Sequence, residues 1–346
     1  GLLRSVGSAL GEQCLAEQVA VLLGPGMNIK RHPLCGRNFE YFSEDPLLSG
    51  EMAAALVEGV QSRGVGTSVK HFAVNNQEQG RMTVDVIVDE RALREIYLRG
   101  FEIAVRKAQP WTVMCAYNRL NGAYCAEHPW LLQEVLRNDW GFQGLVVSDW
   151  GSTNDRVRGV AGGLDLEMPS SGGVNDRMIV DAVRAGMLAE ADLDQSVLRI
   201  VSLILLGMDA AGHAAGHAAG EGSAAALSTA SHHALARRAA VESAVLLKNH
   251  DDLLPLRRDV GLAVIGAFAR SPRYQGAGSS QVRPTQLDCA FDAIGQLVGD
   301  AGRLSYAAGY DPLHSGADAG LIAEAVALAG AADVAVVFAG LPAIFE

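Results

Sequence analysis

The chain has 346 residues, 49% of them hydrophobic and 19% charged, with a formal net charge of −11. That length exceeds what one compact core usually holds, so two domains are expected, and the negative balance argues against nucleic acid and anionic membranes, which need basic patches. The cysteines Cys14, Cys35, Cys115, Cys125 and Cys289 are scattered without a C-x-x-C pair, which points to neither a disulfide scaffold nor a zinc site, and no run is long and apolar enough to span a bilayer.

In chain order, "VAVLLGP" (19–25) is predicted as a strand. "DPLLSGEMAAALVEGVQSRG" (45–64) has helical periodicity behind a capping Asp and Pro. "VGTSVKHFAV" (65–74) is the second strand, and "DERALREIYLRGFEIAVRKA" (89–108) is a helix with an acidic first turn and a basic last one. "WTVMCAY" (111–117) is the third strand, "HPWLLQEVLRNDWG" (128–141) a helix, "LVVSD" (145–149) the fourth strand and "GLDLEMP" (163–169) the fifth. Helices of this length between strands imply βα units and a parallel sheet. The unusual polar residues follow the strands, as in a (β/α)8 TIM-like barrel, where chemistry collects at the strands' C-terminal ends.

"VLRIVSLILLG" (197–207) reads as a core helix. The Ala/Gly-rich stretch that follows reads as a linker over 208–240. From 241 to 346 a second α/β pattern begins, with "ARRAAVESAVLLKN" helical into a strand-like end, strands at 261–269 and 333–340, and the helix "LIAEAVALAGAA" before the latter. The expected domains are therefore a barrel over 1–207 and the first part of an α/β sandwich over 241–346. The chain begins on Gly, lacks a signal-peptide pattern and stops just after a strand, so both ends look cut.

Asp149 closes the fourth strand, where the alternative is a helix cap for "DWGSTND". The neighbouring strand ends decide for a site. Lys70 and His71 end the second strand, Tyr117 the third, and the first two βα loops supply Arg37 and Arg81. Cations, a His, a Tyr and an Asp converging on one rim make a polar pocket suited to a ligand covered in hydroxyls. Trp150 offers a flat apolar face for a sugar ring. Trp111, Trp130 and Trp140 read as core. His213 and His217 sit in the linker and are not taken as metal ligands; "GAGSS" (276–280) lacks the rest of a nucleotide fingerprint.

The segments "GPGMNIKRHPLCGRNFEYFSEDP", "VKHFAVNNQEQGR", "VMCAYNRLNG" and "VLRNDWGFQGLVVSDWGS" together resemble glycoside hydrolase family 3, in its bacterial β-glucosidase branch. The likeness resumes at "ESAVLLKNHDDLLPL" (242–256). It implies retaining hydrolysis of terminal β-D-glucosyl residues, with Asp149 as nucleophile. Arg37, Lys70, His71, Arg81 and Tyr117 are implied to grip the sugar, Trp150 to stack beside the leaving group, and Ser279 to reach the sugar from the second domain. The cations would hold the nucleophile ionised. A retaining pair of carboxyls stands roughly 5–5.5 Å apart. Glu167 is tempting as the partner, but the family takes its acid from the second domain, at Glu346 or just beyond.

The family's distal-hydroxyl Asp has no equivalent here, so the chain looks like a fragment truncated at both ends, with little or no turnover expected from it alone. The loop "AVNNQEQGRM" has no His, which disfavours amino-sugar chemistry. β-Xylosidase or arabinosidase activity is the nearer rival, since pockets discriminate weakly on one hydroxymethyl group, and a sugar-binding remnant without turnover is the other alternative. The resemblance implies a small-molecule β-glucoside or oligosaccharide substrate, no cofactor and no metal. Oligomeric state stays open, as does location in the bacterial cytoplasm, periplasm or medium.

Overall fold

The computed structural model describes residues 1–220, 229–276, 278–298, 303–314 and 316–342. Glu346 and the side chains of His213 and His217 lie outside the described residues. The chain divides into two compact units, Gly1–Ala239 and Ala240–Glu346.

In the first unit, helix α1 (Leu2–Ala16) leads to the short strand β1 (Val21–Leu22) and helix α2 (Pro46–Gln61). Asp45 caps α2 as the sequence predicts: its Oδ1 accepts the Leu47 N–H at 2.7 Å, and Pro46 fills the first helical position. Strand β2 (Gly66–Phe72) follows, then β3 (Asp85–Val86). The predicted single helix over 89–108 is broken into α3 (Glu90–Ala92), a π-helical turn over Leu93–Tyr97 and α4 (Arg99–Ala108). Strands β4 (Thr112–Cys115), β5 (Arg119–Leu120) and β6 (Ala123–Tyr124) precede a π-helical segment, Trp130–Asp139. Strand β7 (Leu145–Val147) is followed by α5 (Arg156–Gly162), α6 (Val174–Arg184) and α7 (Glu190–Gly220).

Strands β1, β2, β4 and β7 form one sheet in that order, every pairing parallel. Sequential parallel neighbours joined by helices are the repeat from which a βα barrel is built. Alternate residues serve opposite faces of the sheet. Val69, Phe72, Val113, Cys115 and Val146 pack with Phe101, Leu98 and Trp140, the Phe72 ring lying edge-on to Phe101 at 5.2 Å and to Trp140 at 5.7 Å. Met114, Leu145 and Val147 pack with Leu166, Met168, Ile200 and Leu203. The predicted fifth strand is reduced to one bridge, Val147 to Leu166. A small sheet that the periodicity did not reveal, β3-β5-β6, sits beside the main one. Its β5–β6 turn is Asn121–Gly122, both at positive φ, the backbone of a two-residue hairpin.

The segment read as linker is helical as far as Gly220, and helix α8 (Thr229–Ser243) follows. Alanine is the best helix former, so an Ala-rich run holds a helix with little to bury. In the second unit β8 (Leu262–Ile265), α9 (Ala290–Val298), β9 (Leu304–Ala307), α10 (Ala319–Ala331) and β10 (Val334–Val337) make a parallel sheet of order β10-β8-β9. The strand-like end at Val245, Leu246 and Leu247 is exposed and outside any sheet.

Candidate active site

Strand β7 is wholly buried, and its chain direction delivers Ser148 and Asp149 to the rim. The Ser148 hydroxyl accepts the Met168 N–H at 2.8 Å and donates to the Met168 carbonyl at 3.1 Å, which stitches the rim to the segment after α5. Asp149 is not the cap of the next helix. That role falls to Asp155, whose Oδ1 accepts the Arg158 N–H at 3.0 Å. Asp149 is 9% exposed; its Oδ1 accepts the Trp150 N–H at 2.7 Å, and its Oδ2 lies 3.6 Å from His71 Nε2. The Tyr117 side chain also hydrogen-bonds with this carboxylate, and its two oxygens keep lone pairs to spare.

His71 is buried and held at both ends. Asn28, delivered by the segment after β1, donates to the His71 carbonyl at 2.9 Å and accepts its N–H at 2.7 Å, replacing a strand neighbour. The ring's Nδ1 lies 3.1 Å from the Tyr41 hydroxyl. Burial, then the charges of Arg37, Lys70 and Arg81, hold His71 well below the ordinary imidazole pKa, so the ring is neutral. The same dependence puts all three cations within electrostatic reach of the ring that faces Asp149.

The structure brings Asp149, His71, Lys70, Arg37, Arg81, Tyr117 and Trp150 to this rim. None of the three cations is unpaired. Arg37 Nε donates to Glu40 Oε1, Lys70 Nζ is 3.6 Å from Glu40 Oε2, and Arg81 Nη1 is 2.7 Å from Glu78 Oε2. Arg81 also stacks over the Tyr117 ring at 4.5 Å. The Tyr117 hydroxyl donates to the Trp150 carbonyl at 2.9 Å. Burial and the Asp149 charge push Tyr117 up to about 12, so it serves as a neutral donor. Trp150, which binds the carboxylate through its backbone N–H, is half exposed.

Ser279 is on the second unit, exposed in the short turn Gly278–Ser280. Glu167 is engaged by Asn175 Nδ2 at 2.6 Å and Arg156 Nε at 3.9 Å. Sequence reasoning missed Asn28, Glu40, Tyr41, Asn75 and Glu78. The pairs Arg37–Glu40 and Glu78–Arg81 are three residues apart and were readable as such. Among the described residues no group of three or more His, Cys, Asp or Glu could hold a metal, and no helix is long and apolar enough to cross a membrane.

The chain matches the glycosyl hydrolase family 3 N terminal domain over residues 2–203 and the family's C-terminal domain over residues 244–346. It is 56% identical over 345 residues to thermostable beta-glucosidase B of Acetivibrio thermocellus, covering 100% of this chain and 44% of that protein. It is 46% identical over 354 residues to an exo-alpha-(1->6)-L-arabinopyranosidase of Bifidobacterium longum, covering 100% and 45%. Among solved structures, the Bifidobacterium adolescentis GH3 beta-glucosidase superposes with a TM-score of 0.89 at 46% identity, covering 99% of this chain and 48% of that one. Beta-glucosidase 3B of Thermotoga neapolitana, in complex with alpha-D-glucose, superposes with a TM-score of 0.79 at 40% identity, covering 95% and 44%. The chain thus spans under half the length of these relatives. The likenesses give the first unit the architecture of a TIM-like (β/α)8 barrel and the second that of an α/β sandwich. With both of its parts matched in order, the chain belongs to glycosyl hydrolase family 3.

Proposed function

We propose that the protein to which this chain belongs hydrolyses terminal non-reducing β-D-glucosyl residues by retaining double displacement, with Asp149 as nucleophile. The observation that carries this reading is a carboxylate at the end of a fully buried strand, facing a neutral His71 in a field of three cations. An Asp149 oxygen attacks the anomeric carbon as the leaving-group oxygen takes a proton from a carboxylic acid. Water, deprotonated by the same group, then releases the sugar. Glu40 and Glu78 are tied to cations, and Glu167 to Asn175 and Arg156. For the acid/base the resemblance to the family implies Glu346 or a Glu just beyond it.

Arg37, Lys70, His71, Arg81 and Tyr117 bind the sugar's hydroxyls in this reading, and Trp150 stacks beside the leaving group. The beta-glucosidase relatives and the glucose-bound neighbour favour glucose. The arabinopyranosidase relatives, at 46% identity, favour a second reading in which the sugar is a pentopyranose. The ratio of kcat/KM for nitrophenyl β-glucoside and nitrophenyl arabinopyranoside separates the two.

The nucleophile is tested by incubating the full-length protein with an activated 2-deoxy-2-fluoro-β-glucoside and sequencing the labelled peptide. A fluoroglucosyl adduct on Asp149 is expected. An adduct on another carboxylate, or turnover by Asp149→Ala at the wild-type rate, sinks the assignment.

A further inference from the structure

A line of hydrogen-bonding groups runs behind the candidate nucleophile, and its polarity can be worked out from one end. Arg81 pairs with the Glu78 carboxylate, Nη1 to Oε2 at 2.7 Å. A carboxylate only accepts, so the Asn75 group 3.1 Å from Glu78 Oε1 must be the amide nitrogen. That same nitrogen is 3.4 Å from the Tyr41 oxygen, which therefore accepts its other hydrogen. Tyr41 is 4% exposed, and among the described residues its hydroxyl has one further partner, His71 Nδ1 at 3.1 Å. The phenol's single proton goes there. With Nδ1 accepting, the neutral ring carries its hydrogen on Nε2, 3.6 Å from Asp149 Oδ2.

We propose that Tyr41 and Asn75 are positioning residues that fix the tautomer of His71, so that its Nε2–H rather than its lone pair faces the Asp149 carboxylate. The proposal rests on the reading of Asp149 as nucleophile. At 3.6 Å the contact is too long for a hydrogen bond but well within electrostatic range. The hydrogen of Nε2 steadies the ionised carboxylate without occupying a lone pair. The other tautomer would set two lone pairs against each other and turn the carboxylate away from the sugar.

The groups facing His71 are Tyr41, Arg37 and Glu40 from the loop after β1, Lys70 beside it, Asn75, Glu78 and Arg81 from the loop after β2, and Asp149 from β7. Burial and the cations oppose protonation of the ring, and Asp149 favours it. A hydroxyl that donates to Nδ1 adds to the opposition, because a protonated ring has no acceptor there. Burial pushes the Tyr41 phenol far above its ordinary pKa, so it stays a donor across the working range.

The experiment measures the inactivation rate of the full-length protein by 2,4-dinitrophenyl 2-deoxy-2-fluoro-β-glucoside against pH, in wild type, Tyr41→Phe and Asn75→Ala. This leaving group departs without an acid, so the rate reports on the nucleophile. In Tyr41→Phe the rate at neutral pH is expected to fall about tenfold, and its acid limb to rise by about one pH unit as His71 gains proton affinity. Asn75→Ala is expected to move both the same way by less, and it carries the test if Tyr41→Phe fails to fold. A uniform rate loss with the limb unmoved marks a merely structural role and overturns the proposal, as does a wild-type profile in both variants. Wild-type label on a residue other than Asp149 overturns this proposal and the nucleophile assignment together. Label on Asp149 with unmoved limbs in the variants overturns this proposal alone.

Discussion

Asp165→Asn is expected to be the most destabilising near-isosteric change in the first unit. Asp165 is 1% exposed, and its carboxylate receives Arg137 Nη2 at 2.7 Å, Arg199 Nη1 at 3.0 Å and the Val146 N–H at 2.8 Å. Its carbonyl accepts from Arg156 Nη2 at 2.7 Å and Ser196 Oγ at 3.0 Å. One residue thus ties β7 to the Trp130–Asp139 segment, α5 and α7. The amide keeps the shape but removes the charge. The Arg137 side chain, 8% exposed, is then left without a counter-charge, whereas Arg199 at 21% can regain water. Removing one partner of a buried pair costs about 3–5 kcal/mol, nearly all of it here from Arg137. At about 2–4 °C per kcal/mol for a unit of this size, Tm falls by on the order of 10 °C. Calorimetry of the full-length protein at pH 7 measures it, and Asp165→Asn/Arg137→Met should recover much of the loss because the stranded charge is gone. A fall below about 2 °C, or a double variant no more stable than the single, would refute the ion-network account.

Because His71 is held below the ordinary 6.5, the unfolded chain binds a proton under pH 6.5 that the folded one does not. Stability is therefore full above that pH and declines as pH falls, by up to about 1.4 kcal/mol per unit. Urea midpoints at pH 6.5 and 5.5 should show this slope in wild type and lose it in His71→Gln; equal slopes exclude His71 as its source. Gly59→Ala puts a Cβ 2.2 Å from the Arg4 carbonyl and 2.9 Å from the Gly7 Cα, so α1 and α2 must part, at about 1–3 kcal/mol. An unshifted denaturation midpoint for that variant means the helices do not meet there.

The strands that carry the rim were legible because a strand buried on both faces is written as a continuous apolar run. Lys70, His71, Tyr117 and Asp149 stood out as polar residues at the ends of such runs, and the Asp45–Pro46 helix start was readable from local chemistry alone. Other signals were present and passed over. Asn121–Gly122 is a strong short-range hairpin signature, and it makes the β5–β6 turn. The π-helical turn over Leu93–Tyr97 left no such mark, since one extra residue in a turn shifts a hydrophobic stripe too little to read.

The fifth strand shows why pattern fails where a side chain takes over a backbone role. "GLDLEMP" has the alternation of a strand, yet the Val146 N–H goes to the Asp165 carboxylate instead of a neighbouring carbonyl. The ladder shrinks to the one bridge at Leu166. The same principle governs the site. Asn28 stands in for a strand beside His71, and the direction in which Tyr41 donates depends on a carboxylate reached only through Asn75. Tyr41 and His71 are 30 residues apart, so no local window contains both. Periodicity encodes which residues are buried and which strand ends meet. It does not encode the sense of a hydrogen bond, which is set here by a group that can only accept. That group is Glu78, paired with Arg81, and its reach through Asn75 and Tyr41 decides which edge of His71 the Asp149 carboxylate meets.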